Sequence, residues 1–148
     1  LYDNNISSFS FSLKGITSLK GDDVKLSERL YISSNRLRGF VRGKIGPKDG
    51  EDYIGGNYTS TINLTSTLPQ ILENLENVDF SVFFDAANSW GVDYDSSIDD
   101  SNQIRSSIGI GVDWFTIVGP LNFSIAQSLT KESGDKLETF RFNLGTTF

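Results

Sequence analysis

Ser8-Phe9-Ser10-Phe11-Ser12-Leu13-Lys14 places Phe9, Phe11 and Leu13 on one side of an extended chain and Ser8, Ser10, Ser12 and Lys14 on the other. Successive side chains of extended backbone point to opposite sides, so a period of two marks a strand with one apolar and one polar face. A helix would space its apolar residues three and four apart, and this stretch does not.

Five further runs repeat the design. Tyr58, Ser60, Ile62, Leu64, Ser66 and Leu68 oppose Asn57, Thr59, Thr61, Asn63 and Thr65, and Pro69 ends the run. Val78, Phe80, Val82, Phe84 and Ala86 oppose Asp79, Ser81, Phe83, Asp85 and Ala87. Ile104, Ser106, Ile108, Ile110, Val112 and Trp114 oppose Arg105, Ser107, Gly109, Gly111 and Asp113. After Val118-Gly119-Pro120, Leu121, Phe123, Ile125 and Leu129 oppose Asn122, Ser124, Ala126 and Ser128. The last run sets Phe140, Phe142, Leu144 and Phe148 against Arg141, Asn143, Gly145 and Thr147. Residues 71–78 alone hint at a helix, and eight residues support no more than one turn.

Composition removes many chemistries. The 148 residues contain no Cys, Met or His, and 13 basic against 19 acidic residues give a net charge of −6. Without Cys or His there is no disulfide framework, no thiol nucleophile, no zinc site of the usual kind and no imidazole base. No nucleophile elbow is present, which removes the hydrolase reading. An acidic chain without a basic cluster is not built for nucleic acid. Asp93, Asp95, Asp99 and Asp100 lack the Gly and terminal Glu of a calcium loop and read as a solvated segment. Asp79 and Asp85 share a face but lie six residues apart, roughly 20 Å along a strand, too far for an acid–base pair.

Alternation fits either a soluble sandwich, whose apolar faces pack together, or a membrane barrel, whose apolar faces meet lipid. Two features favour the barrel. Asp85, Arg105 and Arg141 put charges in mid-strand on the polar face, and Trp114 and Phe148 fall near strand ends, where an interfacial aromatic girdle belongs. The connections alternate too: long or acidic after the first, third and fifth runs, shorter or more apolar after the second and fourth. Six strands fall short of the roughly eight that the smallest single-chain barrels use. The chain, which does not begin with Met, is therefore expected to be part of an all-β antiparallel transmembrane barrel.

Residues 21–56 carry Leu37-Arg38-Gly39-Phe40, with Glu28-Arg29-Leu30-Tyr31 before it and Ile45-Gly46-Pro47 after it. Downstream come Gly55-Gly56-Asn57, Phe83-Phe84-Asp85-Ala86 with Trp90, Ile104-Arg105 through Gly109-Ile110-Gly111 to Trp114, Gly119-Pro120-Leu121, and Phe142-Asn143-Leu144-Gly145 ending in Phe148. In this order the motifs resemble the BamA family, the barrel subunit of the bacterial outer-membrane β-barrel assembly machinery. The resemblance runs from about Ser8 to the last residue; it implies that the chain is the C-terminal part of the barrel and that no enzyme activity, cofactor or metal is involved.

It implies that residues 21–56 form a loop inserted into the barrel lumen. An Arg fork suits bidentate anchoring on a wall carboxylate, parity places Asp85 on the polar face, and the resemblance implies that Arg38 pairs with it. Gly39 would allow close backbone approach, and Phe40 would pack in the loop's own core. Where many members have a Glu on the next strand, Asn63-Leu64-Thr65 has no acid.

Residues 138–148 would be the closing strand. The resemblance makes Phe140, Phe142, Leu144 and Phe148 a β-signal, and makes Gly145 a weak point in a seam that opens laterally. The implied function is folding and insertion of barrel proteins in the bacterial outer membrane. Its partners would be unfolded barrel substrates, lipids, and accessory lipoproteins held by periplasmic domains. Two-partner-secretion and TamA-type translocators share the loop motif; a passive porin and a soluble binding sandwich are the alternatives from other classes.

Overall fold

Residues 5–19, 21–68, 77–99 and 103–145 are described by the computed structural model. The strands are β1 (Ser7–Gly15), β2 (Gly39–Phe40), β3 (Lys48–Asp49), β4 (Asp52–Tyr53), β5 (Tyr58–Thr67), β6 (Val78–Trp90), β7 (Arg105–Thr116), β8 (Gly119–Thr130), β9 (Leu137–Glu138) and β10 (Phe140–Leu144). β1, β5, β6, β7, β8 and β10 form one antiparallel sheet in that order. Each long strand pairs with its predecessor among them, so the sheet is a meander. Its outermost strands, β1 and β10, do not pair with each other among the described residues, and the sheet stays open.

Register lines up the two faces across the sheet. Ser10, Asn63, Asp85, Ser107 and Ser128 form one polar row, and Val82, Ile110, Ile125 and Phe140 form an apolar one. Phe9, Phe11, Leu13, Leu64, Ile108, Ile110, Ile125, Phe140, Phe142 and Leu144 are all exposed. No second sheet covers them among the described residues, which rules out the sandwich arrangement. Such a band would aggregate a soluble protein, whereas lipid covers it in a membrane barrel.

The buried apolar residues lie elsewhere. Ile32, Leu37, Phe40 and Ile45, all from the loop, cluster with Ala87 of β6. The core is therefore made by residues 21–56 folding onto the polar face of the sheet. Asn57, Asn63, Asp85, Asn88, Ser89, Arg105, Ser107 and Arg141 are buried beneath or beside them.

Two features go beyond the sequence reading. β6 continues past Ala87 to Trp90, because Asn88 and Ser89 are covered by the loop rather than by water. The loop carries a short pairing of its own, β3 with β4, and a second, β2 with β9, made to the segment before the last strand. Among the described residues β10 runs to Leu144, and Gly145 follows it at φ +104° with its N–H donating to the Pro120 carbonyl at 2.9 Å. Residues 71–76, Asp100 and Phe148 lie outside the described residues.

Candidate functional site

Asp85 gathers the loop onto the wall. The parity of β6 aims its carboxylate at the polar face, where it is fully buried. The Arg38 guanidinium meets it side-on, with Nε 2.7 Å from Oδ2 and Nη2 2.8 Å from Oδ1. The Arg38 backbone N–H donates to the same Oδ2 at 3.0 Å, and Asn63 Nδ2 donates to Oδ1 at 2.8 Å. A fork of two charge-assisted bonds fixes orientation as well as distance. Phe83, two residues earlier on the same face, lies beneath the guanidinium, 3.5 Å from Cζ to ring centroid. An aromatic ring beneath it and a bidentate acid beside it together select Arg over Lys.

The next strand takes part through neutral groups. Arg38 Nη2 donates to Thr65 Oγ1 at 3.2 Å, and Asn63 bridges Asp85 to the loop by donating to the Arg36 carbonyl as well. Asn63 and Thr65 thus serve without a second carboxylate. Asp85 remains the sole anion paired with Arg38 among the described residues.

Gly39 follows at φ +90°, a conformation glycine adopts freely. Its backbone lies against β7 and β8, and Ser107 Oγ donates to the Arg38 carbonyl at 2.5 Å. Phe40 turns the other way, into the loop cluster with Ile32, Leu37 and Ile45. Arg38, Gly39 and Phe40 so divide the work between wall anchor, close approach and internal packing.

Two wall arginines, legible in the sequence only as inward charges, hold other segments. Arg105 is buried; its Nε lies 3.0 Å from Asp135, and its guanidinium also pairs with Glu132 and donates to Asn88 Oδ1 at 3.0 Å. That pins the connection between β8 and β9. Arg141 of β10 donates to the carbonyls of Ser34 and Phe40 and pairs with Glu138. Parity was the available signal for both; their partners lie in loops without periodicity.

At the loop's first third, Arg29 and Asn57 both bond Asp93, which also accepts the Val24 N–H. Burial raises the Asp93 carboxyl, but the bonds from Val24, Asn57 and Arg29 outweigh it and hold it below the ordinary 3.8. Asp95 accepts from the Ser97 hydroxyl and N–H, which lower its carboxyl too. These acids are engaged by protein donors.

Of the proposed closing-strand residues, Phe140, Phe142 and Leu144 face outward and exposed, with Phe142 5.1 Å from Phe123 between ring centroids. They stand on the opposite face from Arg38 and Asp85. Anchor and outward aromatic stripe are thus separate sites, joined through Arg141.

The Omp85 superfamily domain model matches residues 1–148. The outer membrane protein assembly factor BamA of Neorickettsia risticii is 31% identical over 140 residues, covering 90% of this chain and 18% of that protein. BamA of Neisseria meningitidis serogroup B is 30% identical over 139 residues, covering 76% of this chain and 17% of its own length. The crystal structure of Haemophilus ducreyi BamA lacking POTRA domains 1–3 superposes with a TM-score of 0.80 at 31% identity, over 93% of this chain and 30% of that one. The chain thus spans under a fifth of the curated relatives it matches. With its apolar outer face and open antiparallel meander, the sheet is a segment of a bacterial outer-membrane barrel. The chain belongs to the Omp85 superfamily.

Proposed function

We propose that this barrel segment serves an assembly factor that folds and inserts β-barrel proteins into the bacterial outer membrane. The observation that carries it is the loop anchored on the wall through Arg38 and Asp85, in a chain 31% identical to a BamA over most of its length. The work would be done at a strand edge. β10 pairs with β8 on one side, and its other side has no partner among the described residues. An incoming strand could add to such an edge by backbone pairing once the seam parts laterally. Substrate folding would supply the driving force, so the reading needs no enzymatic turnover and no cofactor. Its partners are unfolded outer-membrane barrel proteins and lipid, with accessory lipoproteins carried by periplasmic domains of the whole protein.

Charge reversal tests it in cells that depend on the full-length protein. Arg38→Glu should impair assembly of outer-membrane barrels, and adding Asp85→Arg should restore part of it. Unchanged assembly with Arg38→Ala would overturn the reading.

A further inference from the structure

The closing strand changes partners partway along. From Leu144 back to Phe140 it pairs with β8, and the Thr139 carbonyl still accepts the Ala126 N–H. One residue earlier the backbone has left the wall: Glu138 and Leu137 pair with Gly39 and Phe40. The pairing continues outward as Val41 N–H donates to Lys136 O at 2.8 Å, and Lys136 N–H to Lys44 O at 3.1 Å. The loop has replaced the wall as the strand's neighbour.

Arg141 stands at this branch point, its side chain 9% exposed. One guanidinium nitrogen donates to Ser34 O and another to Phe40 O at 2.7 Å, while Nε bonds Glu138 at 2.7 Å. Those two carbonyls bracket Arg38 and Gly39 in sequence. A single side chain of β10 therefore meets the loop before Arg38 and after Gly39, and meets the residue that pairs with Gly39.

We propose that Arg141 is a positioning residue that couples the seating of the loop to the conformation of the closing strand. With Arg141 engaged, residues 136–138 belong to the loop and β10 is short. With Arg141 disengaged, the two-residue β2–β9 ladder loses its brace and the loop can move independently of the strand. Two such residues pair too briefly to persist unaided. Movement of the closing strand would be felt at Arg38, and displacement of the loop would be felt at β10. The coupling is a property of the barrel itself and holds or fails whether or not the barrel assembles substrates.

The test is amide hydrogen exchange on the full-length protein in lipid nanodiscs. Arg141→Gln should speed exchange at Val41, Lys136 and Glu138 by about tenfold or more, as loss of bonds to a charged donor implies. Amides of Ile62, Phe84 and Ile108 should keep their protection. In the reverse direction, Asp85→Asn, which leaves Arg141 intact, should speed exchange at Lys136 and Glu138. A merely structural Arg141 would raise exchange through the whole sheet; that result, or no change at Val41, overturns the proposal. So does an Asp85→Asn effect confined to the loop. Arg141→Lys, which cannot fork to two carbonyls and a carboxylate, should protect less than the native residue.

Discussion

Gly39 lies so close to Ala126 that a Cβ on the glycine would sit 3.1 Å from the alanine's own Cβ, with Ser107 Cβ 3.3 Å away on the other side. The φ of +90° adds a second restriction, since an L side chain there crowds its own carbonyl. Gly39→Ala should therefore cost about 1–2 kcal/mol from the backbone alone, and more from the contact. Ala126→Gly in the same chain removes the nearer contact and leaves the φ and the Ser107 contact, so it should recover only part of the loss. Denaturant midpoints of the refolded barrel measure both. Full recovery would mean that crowding, and not the backbone, sets the requirement for glycine.

Asp85 should tolerate no substitution that removes its charge. Asp85→Asn keeps the shape but turns one acceptor into a donor, facing Arg38 or Asn63 with no bond to make. Breaking a buried pair from one side costs about 3–5 kcal/mol in typical cases, and the 19% exposure of Arg38 places this one toward the lower end. Asn63→Ala removes a neutral donor and should cost about 1 kcal/mol. If the two variants unfold at the same denaturant concentration, the charge is not what holds the loop.

Much of this arrangement could be read from alternation, and the reason is local. Asp85, Arg105 and Arg141 were placed on the inward face by parity alone, since extended backbone leaves a side chain no other choice. What they touch was not legible. Ser34 and Phe40 bond Arg141 through backbone carbonyls, which carry no sequence signature. β2 and β9 are two residues each, too short for any propensity window to find. The same holds for the end of β6: Asn88 and Ser89 read as loop because they are polar. They stay in strand because Gly46 packs on Ser89, and Arg105 donates to Asn88. The bulge where Ser106 and Ser107 face Thr130 and Ser128 sets Leu129 aside as an extra residue, a shift parity counting passes over.

Arg105→Lys should behave as a loss rather than a conservative change. The guanidinium reaches Asp135, Glu132, Asn88 and the Gln103 carbonyl at once, whereas an ammonium on its flexible stem cannot span that fork. The connection at residues 131–136 should loosen, seen as protease cleavage near Gly134 that the native chain resists. Because the Arg105 side chain is 1% exposed, raising salt should change little in the native protein. Strong salt sensitivity of that cleavage would place the pairs in water and contradict the burial.

Acid should release the first third of the loop as Asp93 takes up its proton. Asp93 is held below its ordinary 3.8 because donors from Val24, Asn57 and Arg29 overcome the opposing effect of burial. A carboxyl lowered in the folded state binds its proton more readily when unfolded. Its contribution is therefore complete above about pH 4, and it is lost as pH falls through the lowered folded value. Asn57 also ties Asp93 to the start of β5, beside the stacked Tyr58 and Trp90. Exchange at the Val24 amide, corrected for the intrinsic pH dependence, should rise below that point while exchange at Ile108 stays flat. Asp93→Asn should remove the acid step and leave Val24 less protected at neutral pH. An acid step that persists in Asp93→Asn would assign it to another carboxylate, with Asp95, whose carboxyl is also lowered, the next to substitute.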